Sequence, residues 1–174
     1  DSTANGSYSF AAGYGARTTN GDGNTAFNYS LASGYGAFST GSTLVNSSGT
    51  YSFAGGYAAG AITSSNNGSF AFGYSGGNTI SATGGGAFAI GMSRDGAILA
   101  SGLGALAGGT NSTASNEFAI AYGTGTQATG AYSAAFNNSI ASGSGAFAIG
   151  NGTASGVLSF AGGEAGTQAY ARSS

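Results

Sequence analysis

The sequence predicts an all-β protein, a parallel β-roll wound as a solenoid of about eleven coils, and three observations predict it. The phrase GAFAIG occurs at 86–91 and again at 145–150, with near-copies GSFAFG at 68–73 and YSFAGG at 51–56. The segment 25–42 aligns without gaps on 134–151 with 11 identical positions. Only 5% of the 174 residues are charged, against roughly 25% in an average soluble domain. Yet 11 Phe and 10 Tyr are too many for a disordered tract, however rich it is in Gly, Ser and Thr. A short apolar phrase written again and again between glycines marks a unit that buries itself by stacking on its neighbours.

The unit has four slots: an aromatic, a small residue, a second apolar position and a turn residue. The first slots fall at Phe10, Thr25, Phe38, Phe53, Phe70, Phe88, Leu106, Phe118, Ala134, Phe147 and Phe160, spaced 12 to 18 residues apart. The second slot is Ala in ten copies and Ser39 in the other; the turn slot is Gly in eight, Asn28 and Asn137 in two, and Ala121 in one. Asn is among the few residues besides Gly that accept positive φ, so the turn slot reads as left-handed. First and third slots lie two apart and share one face of a strand. Every Phe occupies one of them, and where the first slot is small (Thr25, Ala134) the third becomes Phe27 or Phe136. This exchange reads as conservation of core volume. The expectation is therefore that Phe10, Phe38, Phe53, Phe70, Phe88, Phe118, Phe147 and Phe160 point into the roll, while the intervening Ala face a close neighbour. The reverse arrangement, with Ala inside a thin roll, is the second reading.

A fainter phrase separates the copies: LASG at 31–34, ISATG at 80–84, ILASG at 98–102 and IASG at 140–143. One repeat thus reads as strand, turn, strand, turn. Helix is excluded by the glycine density, since each interior Gly costs about 1 kcal/mol relative to Ala. At about 4.8 Å per coil, eleven coils make a rod about 50 Å long. The long coil at 88–105 is expected to carry an outward loop at GMSRDGA, 91–97.

These phrases resemble the head repeats of trimeric autotransporter adhesins, the YadA-like head family, which pair an S-V-A-I-G strand with an A-x-A-x-G strand. The resemblance covers roughly 7–163, with Phe largely in place of the family's Val. It implies a left-handed β-roll, three rolls bundled about a three-fold axis, and display outside the cell on a bacterial surface. Repeats of phage tail fibres and other secreted fibres are distantly similar. A homotrimer is also what so uncharged a surface suggests, because burying part of it is easier to understand than exposing all of it. The reading takes 1–174 as one repeat domain whose end, 164–174, leads toward a neck, stalk or further module. The chain begins at Asp1, which reads as a piece of something longer.

Composition narrows function mainly by exclusion. A net charge of −2 with three Arg and no Lys leaves no basic footprint for nucleic acid and nothing to attract an anionic membrane surface. No apolar run reaches the length of a spanning helix, so membrane attachment is expected only through parts outside this chain. The phrase GYSGG at 73–77 fits a nucleophile elbow, but the chain has no His to serve Ser75 as base. NGDGN at 20–24 lacks the repeated Asp ladder of a calcium-binding roll. No enzyme, no metal and no cofactor is expected. Tyr14, Tyr57 and Tyr74 each follow a turn-slot Gly, with Met92 at the same place in the next coil. Together with Arg94 and Asp95, the residues Tyr57, Tyr74 and Met92 form the candidate contact for a host glycan or an extracellular-matrix protein, because exposed aromatics are platforms for sugar rings and partner surfaces. The expected function is an adhesin head or fibre module. The rivals are a structural spacer with no ligand and, last, an ice-binding solenoid, which would want a flat Thr ladder where this chain scatters its Thr.

Overall fold

A computed structural model of the chain describes residues 1–42 and 44–163, with the backbone of a final strand at Tyr170–Ala171. The expected neck-ward end at 164–174 lies outside the described residues apart from that strand. Two parallel sheets run the length of the molecule, twelve strands in one (Thr3–Ala4 through Tyr170–Ala171) and eleven in the other (Phe10–Ala12 through Phe160–Gly162). Consecutive strands alternate between the sheets, so each coil gives one strand to each, and among the described residues there is no helix. The molecule is an all-β parallel β-solenoid of about eleven coils, as the repeat predicts.

The register joins like to like. Phe53, Phe70, Phe88 and Leu106 follow one another across four strands, with Ala54, Ala71, Ala89 and Ala107 beside them. Backbone amides cross from coil to coil in step: the Phe53 N–H donates to the Ser69 carbonyl at 2.9 Å and the Phe70 N–H to that of Ala87 at 2.8 Å. In one coil the register corrects the sequence reading. Ile120, not Phe118, pairs with Leu106 and Ala134, so Ala121 fills the second slot and Gly123 the turn. The exceptional Ala in the turn slot disappears, and the coil spacing narrows to between 13 and 18 residues.

The interior is the reverse of the first expectation. The second-slot residues Ala26, Ser39, Ala54, Ala71, Ala89, Ala107, Ala121, Ala135 and Ala148 are fully buried between the sheets. Opposite them stands the column Thr18, Ala32, Ser47, Ser64, Ala82, Ala100, Ala114, Ala128, Ala141 and Ala154, also buried. Phe10, Phe38, Phe53, Phe70, Phe88, Phe147 and Phe160 project from the outer face instead, from half-buried in the middle to 53% exposed at Phe10 and 63% at Phe160. Phe118 sits on a corner, 49% exposed. The physical reason is space: two narrow sheets joined by short turns approach until only methyl- and hydroxymethyl-sized groups fit between them, and a ring on that side would force them apart.

Coil length is absorbed at one corner. The connection from the hydroxyl-rich sheet into the Phe-bearing one is nearly constant, while the return connection varies, and a buried column responds to it. Where the return is short the column holds small residues, Ala16 after Gly13, Ser112 after Gly109, Ser139 after Asn137 and Gly152 after Gly150; with Gly41 it holds Val45; with the long returns after Gly56, Gly73 and Gly91 it holds Ile62, Ile80 and Ile98. In these long coils the Phe-bearing strand extends to six residues (Phe53–Ala58, Phe70–Ser75, Phe88–Ser93) and adds an inward layer of Ala58, Ser75 and Ser93. Of the expected outward loop at 91–97, residues 91–93 continue the strand and the bend is confined to 94–97. The added residues widen the roll, and Ile fills the width.

The turn slot behaves as its Asn substitutions predict. Gly73 has φ 150°, Gly91 φ 140°, Asn28 φ 55° and Asn137 φ 54°. A Cβ at Gly73 or Gly91 would also run into the backbone carbonyl of the next coil's turn. Gly73→Ala is therefore expected to destabilise the chain by about 1–3 kcal/mol, measured by chemical denaturation, whereas Asn28→Gly should change stability by less than about 1 kcal/mol, because Gly takes positive φ without strain at a small entropic cost. The core assignment is checked in the same assay. Ala89→Leu should cost about 1–3 kcal/mol by overpacking. Phe88→Ala should cost less than the about 3–5 kcal/mol of a core Phe, because it removes one outer-face stack and a half-buried ring.

Candidate functional site

Alternation places the first- and third-slot residues on the outer face of the Phe-bearing sheet, and parallel register turns each slot into a column. Phe38, Phe53, Phe70 and Phe88 form a ladder of nearly parallel rings, with centroids 5.2, 4.6 and 4.4 Å apart and interplanar angles of 3°, 8° and 4°. Phe27 continues it from the third slot, 5.8 Å from Phe38 and 5.6 Å from Phe10. Phe136 does the same 5.7 Å from Phe147, which stacks on Phe160 at 5.6 Å. The exchange of Phe between slots keeps this outer ladder filled; it does not conserve core volume. Offset stacks of this kind contribute about 0.5–1.5 kcal/mol each beyond the area they bury.

Two aromatic edges border the ladder. On the exit edge, register aligns Tyr57 with Tyr74 and Tyr74 with Met92, as the sequence expects. Tyr57 and Tyr74 stack at 5.3 Å and 11°, and all three side chains are about half exposed. Arg94 and Asp95 lie exposed on the bend just beyond, where the Arg94 carbonyl accepts from Asn78 Nδ2 at 3.0 Å. Tyr14 belongs to the same edge and pairs with Tyr29 at 5.1 Å. Tyr29 follows a turn-slot Asn and so falls outside the Gly-Tyr pattern.

The entry edge was not foreseen. Two residues before each first slot the backbone turns left-handed, and six coils place Gly there. Five place bulky residues: Tyr8 (φ 59°), Tyr51 (52°), Phe118 (47°), Tyr132 (57°) and Leu158 (52°). Each such residue costs about 1–2 kcal/mol that Gly would not, and each leaves its side chain exposed, Leu158 to 81%. Part of the strain is offset where a side chain lies over the glycine one coil back, Tyr51 over Gly36, Phe118 over Gly104 and Leu158 over Gly145. Every Phe lies on this face or its entry edge, and the described Tyr residues lie on the face (Tyr122) or at the two corners that border it, where Tyr35 packs against Tyr51 at 5.6 Å.

The opposite sheet presents two outward columns, a mixed one that includes Arg17, Leu31, Leu99, Gln127 and Ile140 and one of hydroxyls. Thr19, Ser33, Ser48, Ser65, Thr83, Ser101, Ser115, Thr129, Ser142 and Ser155 each follow the inward residue of their strand by one position and fall in one outward column. Residues scattered in sequence are thus collected by register, but Thr supplies only Thr19, Thr83 and Thr129, short of a threonine ladder. The serine of G-x-S-x-G, Ser75, is fully buried and its hydroxyl donates to the Asn78 carbonyl, closing the wide corner. Asp22 of NGDGN accepts from the Ser7 N–H at 3.0 Å, joining two coils. Among the described residues no three His, Cys, Asp or Glu side chains gather into a metal-ligating group.

No protein-family model matches the chain, and no curated protein resembles it in sequence at a significant level. The strain on the entry edge can be measured directly. Leu158→Gly is expected to raise stability by about 0.5–1 kcal/mol, the left-handed penalty less the added entropy of Gly, read from the denaturation midpoint at unchanged slope.

Proposed function

We propose that the chain is a non-enzymatic extracellular module, an adhesin head or fibre segment, whose left-handed roll assembles as a homotrimer with the aromatic sheet turned toward the three-fold axis. One observation carries the assembly: the segregation of the aromatic residues onto one side. Eleven coils of about 4.8 Å and some four residues of about 3.3 Å make this a face on the order of 700 Å². The largest apolar patch on a typical monomer is about 300–600 Å², and a standard interface takes about 800 Å² from each partner. The ladder columns carry no charged residue, so nothing charged is desolvated when copies meet. The handedness, the three-fold arrangement and the bacterial surface rest on the resemblance to YadA-like heads. Such a trimer leaves the hydroxyl column outward as a neutral, soluble exterior.

The exit edge, with Tyr57, Tyr74, Met92, Arg94 and Asp95, is the proposed contact for a host glycan or matrix protein. Its stacked phenols offer flat apolar faces with a polar rim. Three copies turn weak single contacts into avidity. A narrow roll has no room for a deep pocket, so contact is made by this edge.

Sedimentation equilibrium should give a mass near three times 16.4 kDa. Phe72→Asp, an exposed position in the aromatic face, should shift the chain toward monomer with unchanged far-ultraviolet circular dichroism; a wild type that stays monomeric at micromolar concentration rejects the trimer. On a glycan and matrix-protein array, wild type should bind a ligand that a Tyr57→Ala/Tyr74→Ala double variant loses. Equal binding by both removes this edge from the reading. If nothing binds, and deletion of two coils leaves adhesion by a full-length fibre intact, the module is a spacer.

A further inference from the structure

The inward column that holds Val45, Ile62, Ile80 and Ile98 turns polar where the roll narrows. The next three residues in it, Ser112, Thr126 and Ser139, are all fully buried. Ser139 is satisfied: its Oγ reaches the carbonyls of Phe136 at 2.9 Å and Ala148 at 3.0 Å, and accepts from the Phe136 N–H at 2.9 Å. Ser30, in an equally short coil, donates to the Phe27 carbonyl at 2.7 Å. Both stand two residues after a turn-slot Asn, which brings the carbonyl three residues back within reach. Ser112 and Thr126 follow Gly109 and Gly123 through one more residue, and their hydroxyl oxygens have no protein partner. A buried hydroxyl left unpaired is strongly unfavourable, and buried polar groups are paired with protein or with ordered water.

The two orphans are neighbours. They sit side by side in the column, the Thr113 N–H donating to the Thr126 carbonyl at 2.9 Å. Coils repeat at about 4.8 Å, too far for one hydroxyl to reach the other. That separation suits a single water making a bond of about 2.8 Å to each. The column gains these hydroxyls where it loses Ile98, at the point where the return corner shortens. We propose that the narrow half of the roll binds a buried water molecule bridging Ser112 Oγ and Thr126 Oγ1, one per chain, where the wide half is filled by Ile. A water with two or more polar partners in a closed interior is an integral part of a structure and exchanges slowly. This inference is independent of the assembly and of any ligand.

The test uses the full chain and water itself as the probe. Magnetic relaxation dispersion of isotope-labelled water should detect one long-lived internal molecule per chain that is lost in a Ser112→Ala/Thr126→Val double variant. A high-resolution crystal structure should place it between the two oxygens. Thr126→Val, which keeps the side chain's shape, should lower the melting temperature by about 2–4 °C, because it strips the water of one partner and leaves Ser112 exposed to the loss. A relaxation profile identical in wild type and double variant overturns the site. So does a melting temperature that rises in Thr126→Val, the result expected when an unpaired hydroxyl is replaced in a dry interior.

Discussion

The separation of the two sheets is the constraint on which the rest depends. Between them stands one layer of alanine and serine, Ala54, Ala71, Ala89 and their counterparts facing Ser64, Ala82 and Ala100. Such an interior buries little apolar area per coil. Each coil therefore relies on its neighbours through backbone hydrogen bonds and through columns of identical side chains, and cohesion accumulates along the stack. Apart from the widened corner, which takes Val45, Ile62, Ile80 and Ile98, the interior accepts only small groups, so the rings are left to the outer face and its edges, and the aromatic character of that surface follows from the thinness of the core.

Parallel register converts sequence repetition into surface. A residue type that recurs at one slot becomes a continuous column about 4.8 Å per step: a ring ladder from Phe10 to Phe88, a phenol edge at Tyr57 and Tyr74, a hydroxyl column from Thr19 to Ser155. The two outer faces differ in chemistry because they belong to different sheets, one built from the strands that carry Phe and the other from the strands that run into Ser and Thr. An aromatic face of this extent is a liability for an isolated chain and an asset for an assembly. The bulky residues held at positive φ on its entry edge lean the same way, since strain accepted at exposed positions points to a role outside the folding of the single chain.

Variation in coil length is accommodated without disturbing either face. One corner stays nearly constant and fixes how the chain enters the aromatic strand. The other corner lengthens, and the interior answers with Val45, then Ile62, Ile80 and Ile98, before returning to Ser112 and Thr126 as the coils shorten. Width and side-chain volume move together because an interior can be neither stretched over a void nor overfilled. The step from Ile98 to Ser112 exchanges volume for hydroxyls, which is where the interior becomes suited to water.

The sequence by itself determined the repeat, the solenoid, the left-handed turn slot and the alignment of Tyr57, Tyr74 and Met92, because each is set by local rules: glycine and asparagine at positive φ, alternation along a strand, and a period that brings like residues into register. It also determined that Phe and Ala occupy opposite faces. Which face is inside was decided by the tertiary structure, because alternation is symmetric and only the distance between the sheets breaks the symmetry in favour of Ala. The slip at Phe118 has a related cause: FAIA at 118–121 fits the local phrase as well as IAYG at 120–123, and only pairing with Leu106 and Ala134 chooses between them. The widening of the long coils, the strained entry edge and the buried hydroxyls of Ser112 and Thr126 depend on which residues meet across coils, and that is a property of the stack and of no single repeat.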